Sequence, residues 1–313
     1  MIEVINPGPL STVQDLGRFG HRQQGIPQSG VLDPLALIIG NRLLGNEDDA
    51  AAIEITAGNA VFRFMEDCSF VLMGSSLNAT LNDMPIHSGW CMQAKQGNVL
   101  RLKGSQHALR SYLCFAGGID VPLVLNSRST DIQGQFGGLS GKPLQSGTVI
   151  SLFKPHQTQV SAQGALQPPY FNHIRVLPGP HLACFDEHWK LRFTEKPWSV
   201  QLSSNRMGTR LIRDDVEFFN HNIRIPSQAV HPGVIQLPPS GEAMVLLADC
   251  QTTGGYPIIG QVIEADLRHF TQLGASEPVY FEFVDINTAT KAHETTLFHL
   301  NRINIAIENN KKK

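Results

Sequence analysis

Short apolar runs broken by glycine, proline or polar pairs recur along the whole chain: AVFRF, CSFVLMG, LNATLNDMPI, NVLRLKG, ALRSYLCFAGG, TVISLF, IRVLPG, SVQLSS, VIQLPP, MVLLAD and VYFEFVD. Their length and their β-branched and aromatic content read as strands, and no regular alternation of strand with helix accompanies them. The pattern predicts a mainly β fold of the barrel or sandwich kind, not a wound α/β one. Two stretches follow the helical period instead. Asp33-Pro34 is an N-cap with proline at the first helical position; it opens LALIIGNRLL, and Gly45-Asn46 closes it. Leu182, Phe185, Trp189 and Phe193 recur at spacings of three and four, predicting a second helix over 182–193. Each presents one apolar face, expected to plug the end of a barrel, and neither is assigned chemistry.

At 313 residues the chain exceeds what one core usually serves. The polar stretch KPHQTQVSAQGALQPP cannot bury enough surface for a strand of its own. The division expected is an N-terminal β-barrel lobe over 1–155, a linker over 156–169, and a C-terminal β-barrel lobe over 170–313 with a short polar tail. Hydrophobic residues, at 42%, suffice for two cores.

Charge is close to balanced, 25 basic against 27 acidic residues, which argues against a nucleic-acid footprint or an anionic membrane surface. No apolar run approaches the ~18–20 residues of a membrane helix, and no basic-then-apolar segment precedes MIEVINPGP. The five cysteines form no C-x-x-C pair and are expected to be reduced, so the expected location is cytoplasmic. Twelve histidines include no H-E-x-x-H, and no metal site is expected. Gly137–Lys142, GGLSGK, lacks the spacing and the Ser or Thr of a phosphate loop, and no G-x-S-x-G elbow occurs.

Four clusters carry candidate chemistry. In ADCQTTGGYP, Gly254-Gly255 is expected to take positive φ and aim successive N–H groups at an anion. Gln251, Thr252, Thr253 and Tyr256 surround it with neutral donors and acceptors, and Asp249 ends the preceding strand. A solvated glycine turn has the same composition. In SSNRMGTRL, Arg206 offers a planar fork for a carboxylate or phosphate with Asn205 beside it, or else a surface ion pair. The segment STVQDLGRFGHRQQGIPQSGVLDP carries Gln14, Asp15, Arg18, Ser29 and Asp33 around a long glycine-punctuated loop. In FAGGIDVPLVLNSRSTD, Arg128, Ser129 and Asp131 leave a strand together. The last two clusters read as a second site or an interface, or as an internally satisfied loop.

Taken together, STVQDLGRFG with SGVLD, YLCFAGGIDVPLVLNSRST, VLPGPH, SNRMGTRL and GVIQLPPSGEAMVLLADCQTTGGYPIIGQVI resemble the allophanate hydrolase subunit 2 family. That family is also described as biotin-dependent carboxyltransferase-like, as KipA-type, or as the C subunit of 5-oxoprolinase. The resemblance covers nearly the whole chain; Thr209 and His21 stand where the family usually has an aromatic and a tyrosine, which bears on ligand shape. It implies cyclophilin-like β-barrel lobes. It also implies, first, one component of an ATP-dependent 5-oxoprolinase that opens 5-oxo-L-proline to L-glutamate, working with two partners, one KipI-like and one LamB/YcsF-like. ATP would then be bound mainly by a partner, and the chain alone would be inactive. The alternatives are the carboxyltransferase component of a urea carboxylase-type system, with biotin on another polypeptide, and a KipA-type regulator binding an inhibitor of a histidine kinase.

On the first implication, Arg206 grips the substrate carboxylate or a phosphorylated oxygen, the Gly254 and Gly255 amides stabilise oxyanion charge, and Asp249 handles a proton. Asn205, Arg206, Gln251, Thr252 and Tyr256 are expected to line one cleft.

Overall fold

The computed structural model describes residues 1–75, 77–104, 109–155 and 162–311. They fall into two compact units: Met1–Phe19, Ser29–Pro169 and His299–Lys313 in the first, Gly20–Gln28 and Tyr170–Phe298 in the second. Among the described residues the fold is mainly β, with four α-helices and one closed barrel.

In the first unit the strands form two sheets and not a single hydrogen-bonded ring. One has six strands, in the order Val149–Ile150, Ile2–Pro7, Ala60–Phe64, Val99–Leu102, Thr80–Leu81, Met84–Pro85; the other has five, in the order Leu10–Gln14, Ala52–Thr56, Arg110–Phe115, Cys68–Gly74, Cys91–Ala94. Ile2, Val4, Phe62 and Phe64 of the first sheet share a core with Ile53, Ile55, Phe70, Leu72, Leu113 and Phe115 of the second. The five-stranded sheet is covered on its other face too. Helix α1, Pro34–Leu44, packs there against Val71, Met73, Tyr112 and Cys114. This is why RSYLCF is buried at all six positions and not at alternate ones.

Helix α1 begins where its cap predicts, Asp33 Oδ1 accepting from Ala36 N at 3.1 Å, and ends at the left-handed Gly45. It flanks a sheet and does not close a barrel end. Gly40 allows the approach: a Cβ there would lie 2.7 Å from Cys114 Sγ and 2.9 Å from Met73 Cγ.

Of the expected linker 156–169, residues 156–161 lie outside the described residues. The remainder is fastened to the first unit by its amides. Gln163 O accepts from Cys91 N and Gln163 Nε2 donates to Leu43 O, each at 2.8 Å, while Gln167 Oε1 accepts from Gly74 N at 2.8 Å and its Nε2 donates to Asp33 Oδ2 at 3.2 Å. Too polar for a strand, the segment still satisfies backbone groups at a sheet edge.

The second unit holds a seven-stranded closed barrel in the order His173–Pro178, Ile258–Val262, Val234–Gln236, Met244–Leu246, Gly208–Ile212, Trp198–Val200, Pro278–Phe283. The helix expected over 182–193 is broken. Leu182–Cys184 is a single 3-10 turn, and α2 spans only Glu187–Glu195, because Asp186 caps it by accepting from Trp189 N at 2.7 Å. The aromatic spacing still serves packing: Phe185 stacks on Trp189, Trp189 on Phe193 and Phe193 on Phe281.

Two further helices, α3 (Glu264–Phe270) and α4 (Ile286–Lys311), were not expected. Leu300, Ile303 and Ile307 of α4 join the α1 side of the first unit's core. Among the described residues no helix is long and apolar enough to cross a membrane.

Candidate functional site

The strands Gly208–Ile212 and Met244–Leu246 of the second unit pair antiparallel, Gly208 opposite Leu246. SNRMG therefore enters the first strand beside the point where ADCQ leaves the second. Backbone bonds continue past the strand ends, from Leu247 N to Met207 O and from Asp249 N to Arg206 O, each 3.0 Å. At this junction the Arg206 fork closes on the Asp249 carboxylate, Nε to Oδ2 at 2.8 Å and Nη2 to Oδ1 at 3.0 Å. The two side chains are 3% and 5% exposed. The geometry is bidentate, as expected of arginine, but the carboxylate it grips is the chain's own. Asn205 is exposed and folds its side chain back, Oδ1 accepting from Met207 N at 2.8 Å.

Beyond Asp249 the chain runs through buried Cys250 into a two-stranded ribbon, in which Thr253–Gly254 pairs antiparallel with Gln228–Ala229. Val230 N extends the ribbon by donating to Thr252 O at 3.0 Å. Gly254 and Gly255 are not among the glycines with positive φ, so the expected nest of amides does not form. Glycine serves here through its missing Cβ, which at Gly254 would lie 2.5 Å from Gln236 Nε2 and at Gly255 3.3 Å from Ile225 O. Thr253 and Tyr256 are exposed, and Gln251 and Thr252 half-buried.

Arg22 is the group that sequence reasoning missed. It lies in the 3-10 turn Arg22–Gln24, within the segment grouped with the second unit. Its Nη2 donates to Val230 O and, at 3.1 Å, to Gln251 O, tying both sides of the ribbon together. Burial pushes the Cys250 thiol up, while the adjacent Arg22 guanidinium works against that shift. Gln236, 0% exposed on the strand Val234–Gln236, completes the surroundings; its Oε1 lies 3.5 Å from Gln251 Nε2. GVIQLPP held that residue in plain view, but its importance depends on Gly254 lying against it.

The other expected site residues belong to the first unit and turn inward. Asp15 accepts from Gly17 N, Ser127 Oγ, Ser129 Oγ and Arg128 N. Gln14 accepts from Gly30 N and donates to Thr130 O. Arg18 is fully buried, donates to Ser129 O at 2.6 Å and lies 4.6 Å from the centre of the Phe136 ring. Ser29 is 1% exposed with φ of 54°, and Asp33 is the α1 cap. Together these side chains pin the STVQDLGR loop to the NSRSTD loop. Arg128 also lines a groove, of about 580 Å³, with Phe153, Lys154 and Glu47. Among the described residues no cluster of His, Cys, Asp and Glu could hold a metal.

Residues 24–283 match the family model described as carboxyltransferase domain, subdomain A and B. The chain is 42% identical to the C subunit of 5-oxoprolinase from Escherichia coli (strain K12) over 94% of each chain. It is 35% identical to the protein of that name from Haemophilus influenzae over 97% of each. The crystal structure of K. lactis urea amidolyase matches with a TM-score of 0.86 at 29% identity, over 96% of this chain and 20% of that one. With the family model spanning most of its length and a relative 42% identical over 94% of each chain, the chain belongs to the carboxyltransferase-domain family.

Proposed function

We propose that the protein is the C-type component of an ATP-dependent 5-oxoprolinase, acting with a KipI-like partner and a LamB/YcsF-like partner to open 5-oxo-L-proline to L-glutamate. The observation that carries the reading is coverage. The two relatives named as the C subunit of 5-oxoprolinase match this chain over nearly their full length, whereas the similar part of K. lactis urea amidolyase is a fifth of a longer chain. The unstrained lactam is held by amide resonance, so hydrolysis needs activation of its oxygen and neutral groups to orient the ring. On this reading Gln251, Thr252 and Tyr256 orient substrate, and the Arg206–Asp249 pair fixes the loop that carries them.

Nucleotide binding is assigned to a partner. Gly137–Lys142 leads into no helix, and its Gly138 and Gly141 amides donate to Arg128 O and Gly137 O, so they offer no phosphate cradle. A cytoplasmic hetero-oligomer goes with the proposal; all five cysteines are unpaired, as a reducing compartment keeps them.

The structural likeness to urea amidolyase favours a second reading, a carboxyltransferase component served by biotin on another polypeptide. Co-expression with the two candidate partners, followed by assay of glutamate formation from 5-oxo-L-proline and ATP, tests the first. The expected result is turnover only when all three proteins are present. Absence of turnover, with carboxyl transfer from a carboxybiotin carrier to urea instead, would establish the second.

A further inference from the structure

Three buried N–H donors around the Gln228–Ala229 and Thr253–Gly254 ribbon have no acceptor among the described residues: Gln236 Nε2, Gln228 Nε2 and Arg22 Nη1. Register places two of them together. Gln228 lies directly opposite Gly254, so its side chain leaves the ribbon on the face where a Gly254 Cβ would point, and that is where the Gln236 carboxamide sits. Arg22 is anchored on the same ribbon through Val230 O and Gln251 O, which leaves its second amino group uncommitted. Such groups are costly to bury unpaired, and here donors exceed acceptors with one net positive charge among them. Asp249, the nearby carboxylate in sequence, is taken up by Arg206.

We propose that Arg22, Gln228 and Gln236 form a subsite for a small acid that carries a cyclic amide. Arg22 Nη1 meets the carboxylate. A glutamine carboxamide offers one donor and one acceptor side by side, the complement of a ring lactam, whose N–H and C=O point the same way. The missing Cβ of Gly254 leaves room for the Gln236 carboxamide at this face. The identity of the acid rests on the reading above; the donor site itself does not.

The test is titration of the purified chain with 5-oxo-L-proline and with 2-pyrrolidinone, the same ring without the carboxylate, following side-chain amide signals by NMR. Gln228→Leu and Gln236→Leu assign the two signals. Expected are saturable shifts of both signals with 5-oxo-L-proline, and binding of 2-pyrrolidinone weaker by about tenfold or more for want of the Arg22 contact. Arg22→Gln should bring the acid down to the level of the lactam without changing the lactam. Unmoved signals at tens-of-millimolar ligand, about the weakest useful range for so small a molecule, would overturn the subsite, as would equal binding of the two probes to the wild-type chain. Loss of turnover in the full complex despite such binding would instead count against the oxoprolinase reading alone.

Discussion

Replacing Asp249 with alanine removes the carboxylate that grips the Arg206 fork through two bonds, and leaves a guanidinium in a place where its side chain is 3% exposed. Breaking a buried pair from one side costs about 3–5 kcal/mol, far above the ~0–1 kcal/mol of an exposed pair. For a unit of this size each kcal/mol moves the melting temperature by roughly 2–4 °C, so a drop of about 6–20 °C is expected in calorimetry or in thermal melts followed by near-UV circular dichroism. The combined change Arg206→Met with Asp249→Leu removes both charges and fills similar volume, and should recover most of that loss, because the desolvation of both ions is avoided as well.

The same experiment separates two roles for Arg206. If the fork exists to hold the loop, Arg206→Lys lowers stability and activity together. If it grips substrate, Arg206→Lys leaves melting unchanged and slows turnover in the reconstituted complex by roughly 30- to 1,000-fold, the rate equivalent of about 2–4 kcal/mol. An Asp249→Ala protein that loses less than about 1 kcal/mol would refute the structural role.

Further outcomes follow from other sites. His269 is buried, and burial first, with the Arg268 charge second, pushes its imidazole down to about 4, with Asp266 acting oppositely. The unfolded chain, near pH 6.5, takes the proton more readily, so stability is full above pH 6.5 and falls by up to ~3 kcal/mol as pH drops to 4; urea melts of His269→Gln should show a flatter profile between pH 6.5 and 5 than the parent. Burial pushes the Cys68, Cys91 and Cys114 thiols up to about 12, whereas Cys184 is exposed; mass spectrometry after brief iodoacetamide treatment near pH 7.5 should find label on Cys184, with the other three modified only after denaturation. Asp33→Ala removes the α1 cap and should cost about 1 kcal/mol, read as a shift in the denaturation midpoint.

Local rules made some of this legible. The start and end of α1 follow from Asp33, Pro34 and Gly45, each acting through its own backbone. Helix α4 escaped because INTATKAHETT has no apolar period; only Asp285, which accepts from Thr288 N at 2.8 Å, and the spacing of Leu300, Ile303 and Ile307 mark it. The break in the 182–193 helix turns on Asp186, which caps α2 through Trp189 N, whereas the regular spacing of Leu182, Phe185, Trp189 and Phe193 points to one continuous helix.

Site residues depend on partners far away in sequence. Arg206 and Asp249 were both conspicuous, yet nothing local says that they are one ion pair. Gly254 illustrates the ambiguity of glycine, which is selected either for positive φ or for want of a Cβ; only the Gln236 amide against it decides for the second. The same logic distinguishes the two polar clusters of the chain. Around Asp15, four donors converge on one carboxylate and the backbone of a neighbouring loop absorbs Arg18 and Gln14, so that cluster spends its polarity on holding loops. Around Gln236 three buried donors lack an acceptor among the described residues, which invites a polar molecule from outside to meet them. The Asp15 cluster thus holds its own carboxylate for its donors, whereas beside the Gln236 donors the Asp249 carboxylate is taken up by Arg206, and this difference marks the second cluster as the candidate binding site.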